Sequence, residues 1–517
     1  MEVLGDILER GALVYPDREA MVFKNTRLTY RELNDRVNRL ANYLLSLNLA
    51  GSKHVAVLAE NCHQYAEVYF AAAKAGHVTV PLNYRLSTRE MAEIITDAEV
   101  KVLFFGKSFA SQAGELAEKS GFNSVICFDD RQEGCRYYEE LLEGFPGTNP
   151  GIEVDENQMA ILMYTGGTTG RPKGVMLSHR NLMTTTYDNV MLCNLDKESS
   201  TCFILPFFHI AWWPVPTVLF AGGKVVVLER PDLTEILRLI QDEKCRHINS
   251  VPTIYNWLLM HPELEKYDLS SLKMMSYAGS PIAPELLKKL ISKFGDIFYQ
   301  GYGLTEAAPT LTNLLPEDHI VEGPPELTRR LKSCGRQSNF PRVRVVTADG
   351  RDVRPKEVGE IIARGKNVML GYWKNPEQTA KTIRNGWLHT GDMGTVDEDG
   401  YIYLVDRKND MIITGGENVY PREVEDVLYE HPAVMEATVF GVPDHKWGES
   451  VKAVVVLKAG MDAGEDELIQ FCKARLAGYK CPKSVEFRGS VPKSLVGKIL
   501  RNEVKKDYWQ GMDRTIS

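Results

Sequence analysis

Between Tyr164 and Gly174 the chain reads Tyr-Thr-Gly-Gly-Thr-Thr-Gly-Arg-Pro-Lys-Gly, and no other segment constrains its architecture as strongly. Gly166, Gly167, Gly170 and Gly174 let the backbone approach a ligand closely and adopt positive φ. Thr165, Thr168 and Thr169 set hydroxyls among them, and Lys173 adds a point positive charge. A loop of this chemistry suits a polyphosphate. The apolar run Met159–Met163 before it reads as a buried strand, and Val175-Met-Leu177 leads to Ser178, a helix N-cap. It is not a Walker A loop, because Gly170 and Lys173 do not fit that spacing and no Ser or Thr follows the lysine. An ordinary Gly/Thr-rich turn is the bland alternative.

Further motifs follow in order. Pro206-Phe-Phe-His209 ends an apolar strand; Gly301-Tyr-Gly-Leu-Thr-Glu306 and Gly386-Trp-Leu-His-Thr-Gly-Asp392 come next. Asp406-Arg407 runs into Asp410-Met-Ile-Ile-Thr-Gly-Gly-Glu-Asn-Val-Tyr-Pro421, and Pro492-Lys-Ser-Leu-Val-Gly-Lys498 closes the set. Six motifs in this order resemble the adenylate-forming superfamily of acyl-CoA synthetases, peptide-synthetase adenylation domains and luciferases. The resemblance spans essentially the whole chain, although Gly166 stands where the family usually has Ser.

A chain of 517 residues exceeds one ordinary hydrophobic core, so two or more domains are expected. A net charge of −8 argues against a general nucleic-acid binder. The nine cysteines show neither CxxC pairs nor histidines at metal spacing, which reads as reduced thiols rather than disulfides or zinc. Met1–Asp6 lacks a basic n-region, and the apolar stretch from Trp212 to Leu228 is interrupted by Pro214, Pro216, two glycines and Lys224. Neither a signal peptide nor a membrane span is expected, and the expected location is cytoplasmic.

The fold class expected is α/β, because strand-like and helical segments alternate through the first three hundred residues. Thr29 should cap a helix running to Leu47, and Val55–Leu58 and Val102–Phe105 read as buried parallel strands. Val225–Leu228, Leu233–Ile240 and His247–Val251 read as a strand–helix–strand unit. From about Cys334 to Asp406 short strands and turns suggest a small β subdomain, barrel-like in the family. The resemblance implies a large N-terminal AMP-binding domain over 1–406 (β subdomain about 334–406) and a small mobile α+β domain over 407–517, with Asn409 at a hinge position usually held by Asp or Lys.

Activating a carboxylate with ATP sets one anion against another, so the protein must neutralise charge and hold the groups in line. On the resemblance, Gly166, Gly167, Thr165, Thr168, Thr169 and Lys173 hold the phosphates. Glu306, a hard oxygen ligand, and Thr165 serve magnesium. Lys498 bridges the carboxylate and the α-phosphate. Tyr302 gives adenine an aromatic face, in a ligand-facing loop between Gly301 and Gly303, with Gly279, Ser280 and Thr305 beside it. Asp392 and Arg407 take the ribose hydroxyls. In the second half-reaction the small domain rotates, Lys498 leaves, and Gly415, Gly416 and Glu417 reach the site. Trp447 and Lys480 fall in motifs of the acyl-CoA synthetase branch, so ATP, Mg2+ and CoA are the cofactors expected.

No acidic residue follows Phe208 to pair with a substrate ammonium, and the chain stops soon after Lys498, which argues against a peptide-synthetase module. The acyl pocket expected from the motifs is apolar, lined by His209, Ile210, Ala211, Trp212, Tyr277, Ala278, Gly279, Gly303 and Leu304. His209 abuts the substrate and gates the thiol in the family; alternatively it is a core histidine. The pattern is nearest to medium- or long-chain fatty acyl-CoA synthetases, with aryl-CoA ligases as the alternative. Two other classes remain: an acyl-AMP ligase loading a carrier protein, and a non-catalytic nucleotide sensor. The basic run Arg329, Arg330, Lys332, Arg336, Arg342 and Arg344 reads as solvated surface, or as contact with anionic lipid.

Overall fold

A computed structural model describes residues 2–165, 172–279, 282, 284–407, 410–414, 417–444, 446–493 and 499–509, with backbone alone at 406, 407 and 418. The chain divides into two compact units. One comprises Met1–Leu331, Gly335–Val343 and Ala363–Leu388; the other comprises Lys332–Cys334, Arg344–Ile362 and His389–Ser517.

The first unit is built on two sheets. In a nine-stranded sheet, Glu19–Phe23, Lys224–Val227, Ser200–Phe203, His247–Ser250, Met274–Tyr277 and Phe298–Gly303 lie side by side and parallel, with antiparallel strands at both margins. In an eight-stranded sheet, Val78–Pro81, His54–Leu58, Val102–Phe105 and Ser124–Cys127 run parallel, and Met159–Thr165 joins Val78–Pro81. These strands are apolar runs because helices cover them. The expected strand Val225–Leu228 and helix Leu233–Ile240 are present as Lys224–Val227 and Leu233–Asp242, but Ser200–Phe203 lies between Lys224–Val227 and His247–Ser250.

Local signals start the helices where the sequence sets them. Thr29 accepts from the Glu32 amide while Glu32 answers the Thr29 amide, a capping box opening helix Tyr30–Ser46. Ser178 does the same with Asn181 for helix His179–Leu192. Helix His63–Lys74 is apolar on nearly every side and buries all its residues but one. It touches Glu19–Phe23 of the larger sheet and His54–Leu58 and Val78–Pro81 of the smaller, so both faces of the helix need apolar cover.

The second unit holds the body of a sheet that includes Gly359–Arg364, Trp387–Val396 and Ile402–Arg407. A further sheet of Ile412–Thr414, Glu417–Val419, Val434–Asp444, Gly448–Leu457 and Ser484–Phe487 carries helices Pro421–Tyr429 and Glu465–Lys473 over a core that includes Val424, Leu428, Val439, Val455 and Leu468. The units are thus a large mixed α/β body and a smaller α+β one. Among the described residues no helix is long and apolar enough to cross a membrane. Within the basic run Arg330 pairs with Asp318 at 3.3 Å and Arg344 with Asp352 at 2.6 Å, while Lys332, Arg336 and Arg342 are exposed.

Candidate active site

Parallel strands present their carboxyl ends on one edge, where ligand crevices of open α/β sheets lie. Ser200–Phe203, His247–Ser250, Met274–Tyr277 and Phe298–Gly303 share such an edge, and two of the sequence motifs, Pro206–His209 and Gly301–Glu306, emerge there. His209, Ala278, Gly279 and Gly303 are exposed along it, and Leu304 is half-buried. Gly279 has φ +81 and open space where a Cβ would stand, so its glycine serves conformation rather than fit. Gly303 is the reverse, because a Cβ would lie 1.7 Å from the Pro309 carbonyl oxygen.

That packing corrects one expectation. Tyr302 is not in a loop: it lies in strand Phe298–Gly303, opposite Thr312 of the antiparallel strand Thr310–Leu314. Gly303 is demanded by the close approach of residue 309, not by a ligand. Tyr302 and Gly301 are half-buried near the strand's exposed end.

The segment after Ser200–Phe203 is held from below. Asn61 donates to the Leu205 and Leu228 carbonyls at 2.9 and 3.0 Å and accepts from the Phe207 amide at 3.0 Å; the Tyr69 hydroxyl donates to the Phe207 carbonyl at 2.8 Å. His209 Nδ1 accepts from the Ala211 amide at 3.2 Å, which assigns the ring proton to Nε2. The ring meets solvent yet is flanked by dense protein, and this desolvation lowers its pKa, keeping it neutral at pH 7.

Two expected pocket residues lie deeper than the sequence suggests. Trp212 is fully buried, its ring parallel to Tyr69 with centroids 4.2 Å apart. Tyr277 is 1% exposed and donates its hydroxyl to His319 Nε2 at 3.1 Å. Ile210 is also buried. The reason is packing: the short turn Ile210–Trp212 faces the aromatic layer of Tyr65, Tyr69 and Phe207, and Met274–Tyr277 is an interior strand covered on both faces. These residues back the exposed edge rather than line it.

The phosphate-loop residues meet the same region from the smaller sheet. Thr165 and Lys173 are opposite one another at the connecting-loop end of the hairpin Met159–Thr165/Lys173–Ser178. Gly166, Gly167, Thr168 and Thr169 between them lie outside the described residues, as does Ser280. Lys173 Nζ stands 5.6 Å from the Tyr372 ring centroid. Tyr372 in turn donates its hydroxyl to Glu306 Oε1 at 2.8 Å. The structure thus brings Lys173 and Glu306 together through a tyrosine that sequence reasoning missed. Its only local signal was an aromatic pair after a glycine, Gly371-Tyr-Trp373. Thr305 is buried in the turn beside Glu306. Among the described residues no cluster of three metal-ligating side chains occurs, so a cation here would lean on Glu306 and on ligand oxygens.

In the second unit, Asp392 and Arg407 are opposed across the antiparallel pair Trp387–Val396/Ile402–Arg407. Thr390 fixes the turn there, accepting from the Asp392 amide at 3.0 Å and donating to the Ile361 carbonyl at 2.7 Å. Glu417 is exposed at the start of Glu417–Val419. Trp447 is 47% exposed, with Lys446 Nζ 4.8 Å from its ring, on a turn capped by Asp444. Lys480, expected to meet a ligand, is held by both oxygens of Glu423 at 2.6 and 2.8 Å. Gly415, Gly416, Asn409 and Lys498 lie outside the described residues.

Comparison with known proteins gives the class to which the chain belongs. Residues 8–373 match the AMP-binding enzyme family and residues 423–498 the AMP-binding enzyme C-terminal domain, so the chain belongs to that family. It is an ATP-dependent acid–thiol ligase of the acyl-CoA synthetase type. A feruloyl-CoA synthase of Amycolatopsis sp is 39% identical over 98% of this chain and 99% of its own length. A long-chain-fatty-acid–CoA ligase of Bacillus subtilis (strain 168) is 36% identical over 98% and 94%. Among solved structures, ATP-bound MatB from Rhodopseudomonas palustris superposes with a TM-score of 0.88 at 29% identity, covering 98% of this chain and 99% of that one.

Proposed function

We propose that the acid activated is a compact aromatic one, of the hydroxycinnamate class, rather than a medium- or long-chain fatty acid. The observation that carries this reading is the Tyr69–Trp212 stack, fully buried directly behind His209. An extended alkyl chain needs a deep channel behind the reacting carboxylate, whereas a compact planar acid fits a shallow cleft in front of a closed, packed layer. The 39% identity to a feruloyl-CoA synthase supports the same choice.

In the first step a carboxylate oxygen attacks the α-phosphorus, the bond to the β-phosphate oxygen breaks, and pyrophosphate leaves. Thr165 and Lys173, with Gly166, Gly167, Thr168 and Thr169, hold the phosphates. Lys498 neutralises the two anions as they approach. Tyr302, Gly279 and Ser280 take the adenine, and Asp392 with Arg407 the ribose. The Glu306 carboxylate, half-buried and oriented by a hydroxyl donor, suits magnesium, and Thr165 offers a second oxygen. When bound, that ion neutralises phosphate charge. In the second step the CoA sulfur attacks the acyl carbon, its proton goes to solvent and AMP leaves. Gly415, Gly416, Glu417, Trp447 and Lys480 serve this step after residues 407–517 rotate about the segment near Asn409. His209, neutral and facing the cleft, gates the thiol.

The test is pyrophosphate release with ATP and Mg2+ across hydroxycinnamic, benzoic and saturated fatty acids, each with and without CoA. The expected result is CoA-accelerated release with kcat/KM for a hydroxycinnamate about 100-fold or more above that for any chain of C12 or longer. Preference for the long chains would overturn the aromatic assignment. Release indifferent to CoA would point to a carrier protein as acceptor.

A further inference from the structure

We propose that Tyr372 is a positioning residue that sets Glu306 and Lys173 in register for metal-bound nucleotide; this rests on the site reading above. The case is geometric. The Tyr372 hydroxyl donates to Glu306 Oε1 at 2.8 Å, which fixes the carboxylate plane and leaves Oε2 as the oxygen to meet a cation. The opposite function of the same side chain is its ring, against which Lys173 Nζ rests at 5.6 Å. One buried side chain (7% exposed) therefore touches both the acid assigned to the metal and the base assigned to the phosphates.

Its backbone does the same on a larger scale. Gly371–Tyr372 pairs with the hairpin strand, Tyr372 opposite Val175 and Gly371 opposite Met176, and the Trp373 amide donates to the Gly174 carbonyl at 2.8 Å. Two residues upstream, the Met369 amide donates to the Glu306 carbonyl at 2.9 Å. Asn367, buried, donates to the Ala307 and Thr310 carbonyls at 2.9 and 3.1 Å. Tyr372 itself is pinned, its amide donating to Thr379 Oγ1 at 2.9 Å. Residues 367–373 form a strap sewn to the phosphate hairpin at one end and to the Glu306 turn at the other. A strap that served packing alone would not need a hydroxyl directed at a carboxylate on the exposed edge.

The experiment uses the full chain as wild type, Tyr372→Phe, Tyr372→Leu and Glu306→Gln. Mn2+ binding is titrated by electron paramagnetic resonance in the presence of α,β-methylene ATP, beside the Mg2+ dependence of pyrophosphate release. Tyr372→Phe keeps the ring and its volume, so it should melt like wild type while weakening Mn2+ binding about tenfold, the usual effect of losing a hydrogen bond to a metal ligand. Its Mg2+ half-saturation should rise by a similar factor, with kcat at saturating metal reduced far less. Tyr372→Leu should in addition weaken nucleotide binding in the absence of metal, because Lys173 loses its ring. Wild-type Mn2+ affinity in Tyr372→Phe, with affinity lost in Glu306→Gln, would overturn the role of Tyr372 alone. Wild-type affinity in Glu306→Gln would remove the metal assignment on which both readings stand.

Discussion

Gly301 and Gly303 flank the same tyrosine, yet they answer to different physics, and a pair of substitutions separates them. A Cβ on Gly303 would fall 1.7 Å from the Pro309 oxygen, whereas one on Gly301 meets nothing closer than Asn313 Oδ1 at 3.9 Å. Gly303→Ala should lower stability by about 1–3 kcal/mol through forced backbone movement and, by displacing Leu304–Glu306, slow pyrophosphate release. Gly301→Ala should leave the urea midpoint nearly unchanged. Equal midpoints for the two variants would disprove the close-approach explanation. The motif Gly301-Tyr-Gly-Leu-Thr-Glu306 was legible in the sequence as a family signature, but the division of labour between its glycines was not, since it depends on a carbonyl brought in just before the following strand.

At the scale of elements, the buried helix His63–Lys74 carries a charged residue in its middle. Glu67 is wholly buried; Arg36 from the neighbouring helix Tyr30–Ser46 donates Nε to its Oε1 at 2.8 Å, and Tyr138 donates to Oε2 at 2.6 Å. Burial alone would push the Glu67 pKa up, but Arg36 and its other partners overcome this and hold it below the ordinary carboxylate range. Arg36→Met should therefore destabilise by about 3–5 kcal/mol at neutral pH, because it leaves a carboxylate buried without its cation. The deficit should shrink toward pH 5, where the orphaned carboxyl can take up a proton. A deficit independent of pH in denaturant titrations would count against this account. Elsewhere Ser178 joins hairpin to helix, and Ser178→Ala should cost about 1 kcal/mol by removing an N-cap. The caps and the strand–helix alternation were readable because each depends on residues a few places apart.

Across the whole molecule, three buried histidines set an acid limit. Desolvation lowers the pKa of His179, His247 and His319 to about 4 each, from an ordinary value of 6.5. The native state keeps them neutral: His179 Nδ1 accepts from the Leu4 amide, and His319 donates to the Leu315 carbonyl while accepting from Tyr277. In the unfolded chain the same rings take protons below about pH 6.5, so between that value and 4 the unfolded state holds more protons. Stability is then fully present above pH 6.5 and falls as pH drops through the window, by at most roughly 3 kcal/mol for each ring. Urea midpoints measured near pH 7.5, 6 and 5 should decline in that order. A midpoint that holds steady to pH 5 would mean these rings are protonated in the folded protein.

The order and spacing of six short motifs determined the family and the ligase chemistry, because such signals are local and each survives reading in isolation. Long-range packing decided the rest. Tyr372 reaches Glu306 across 66 residues of sequence, and nothing near either residue announces the partnership. Trp212 and Tyr277 sit within a few residues of exposed motif positions, yet they turn inward against Tyr69 and His319. Periodicity tells which residues of an element are apolar; only the pairing of distant elements decides whether an apolar face meets a ligand or the core.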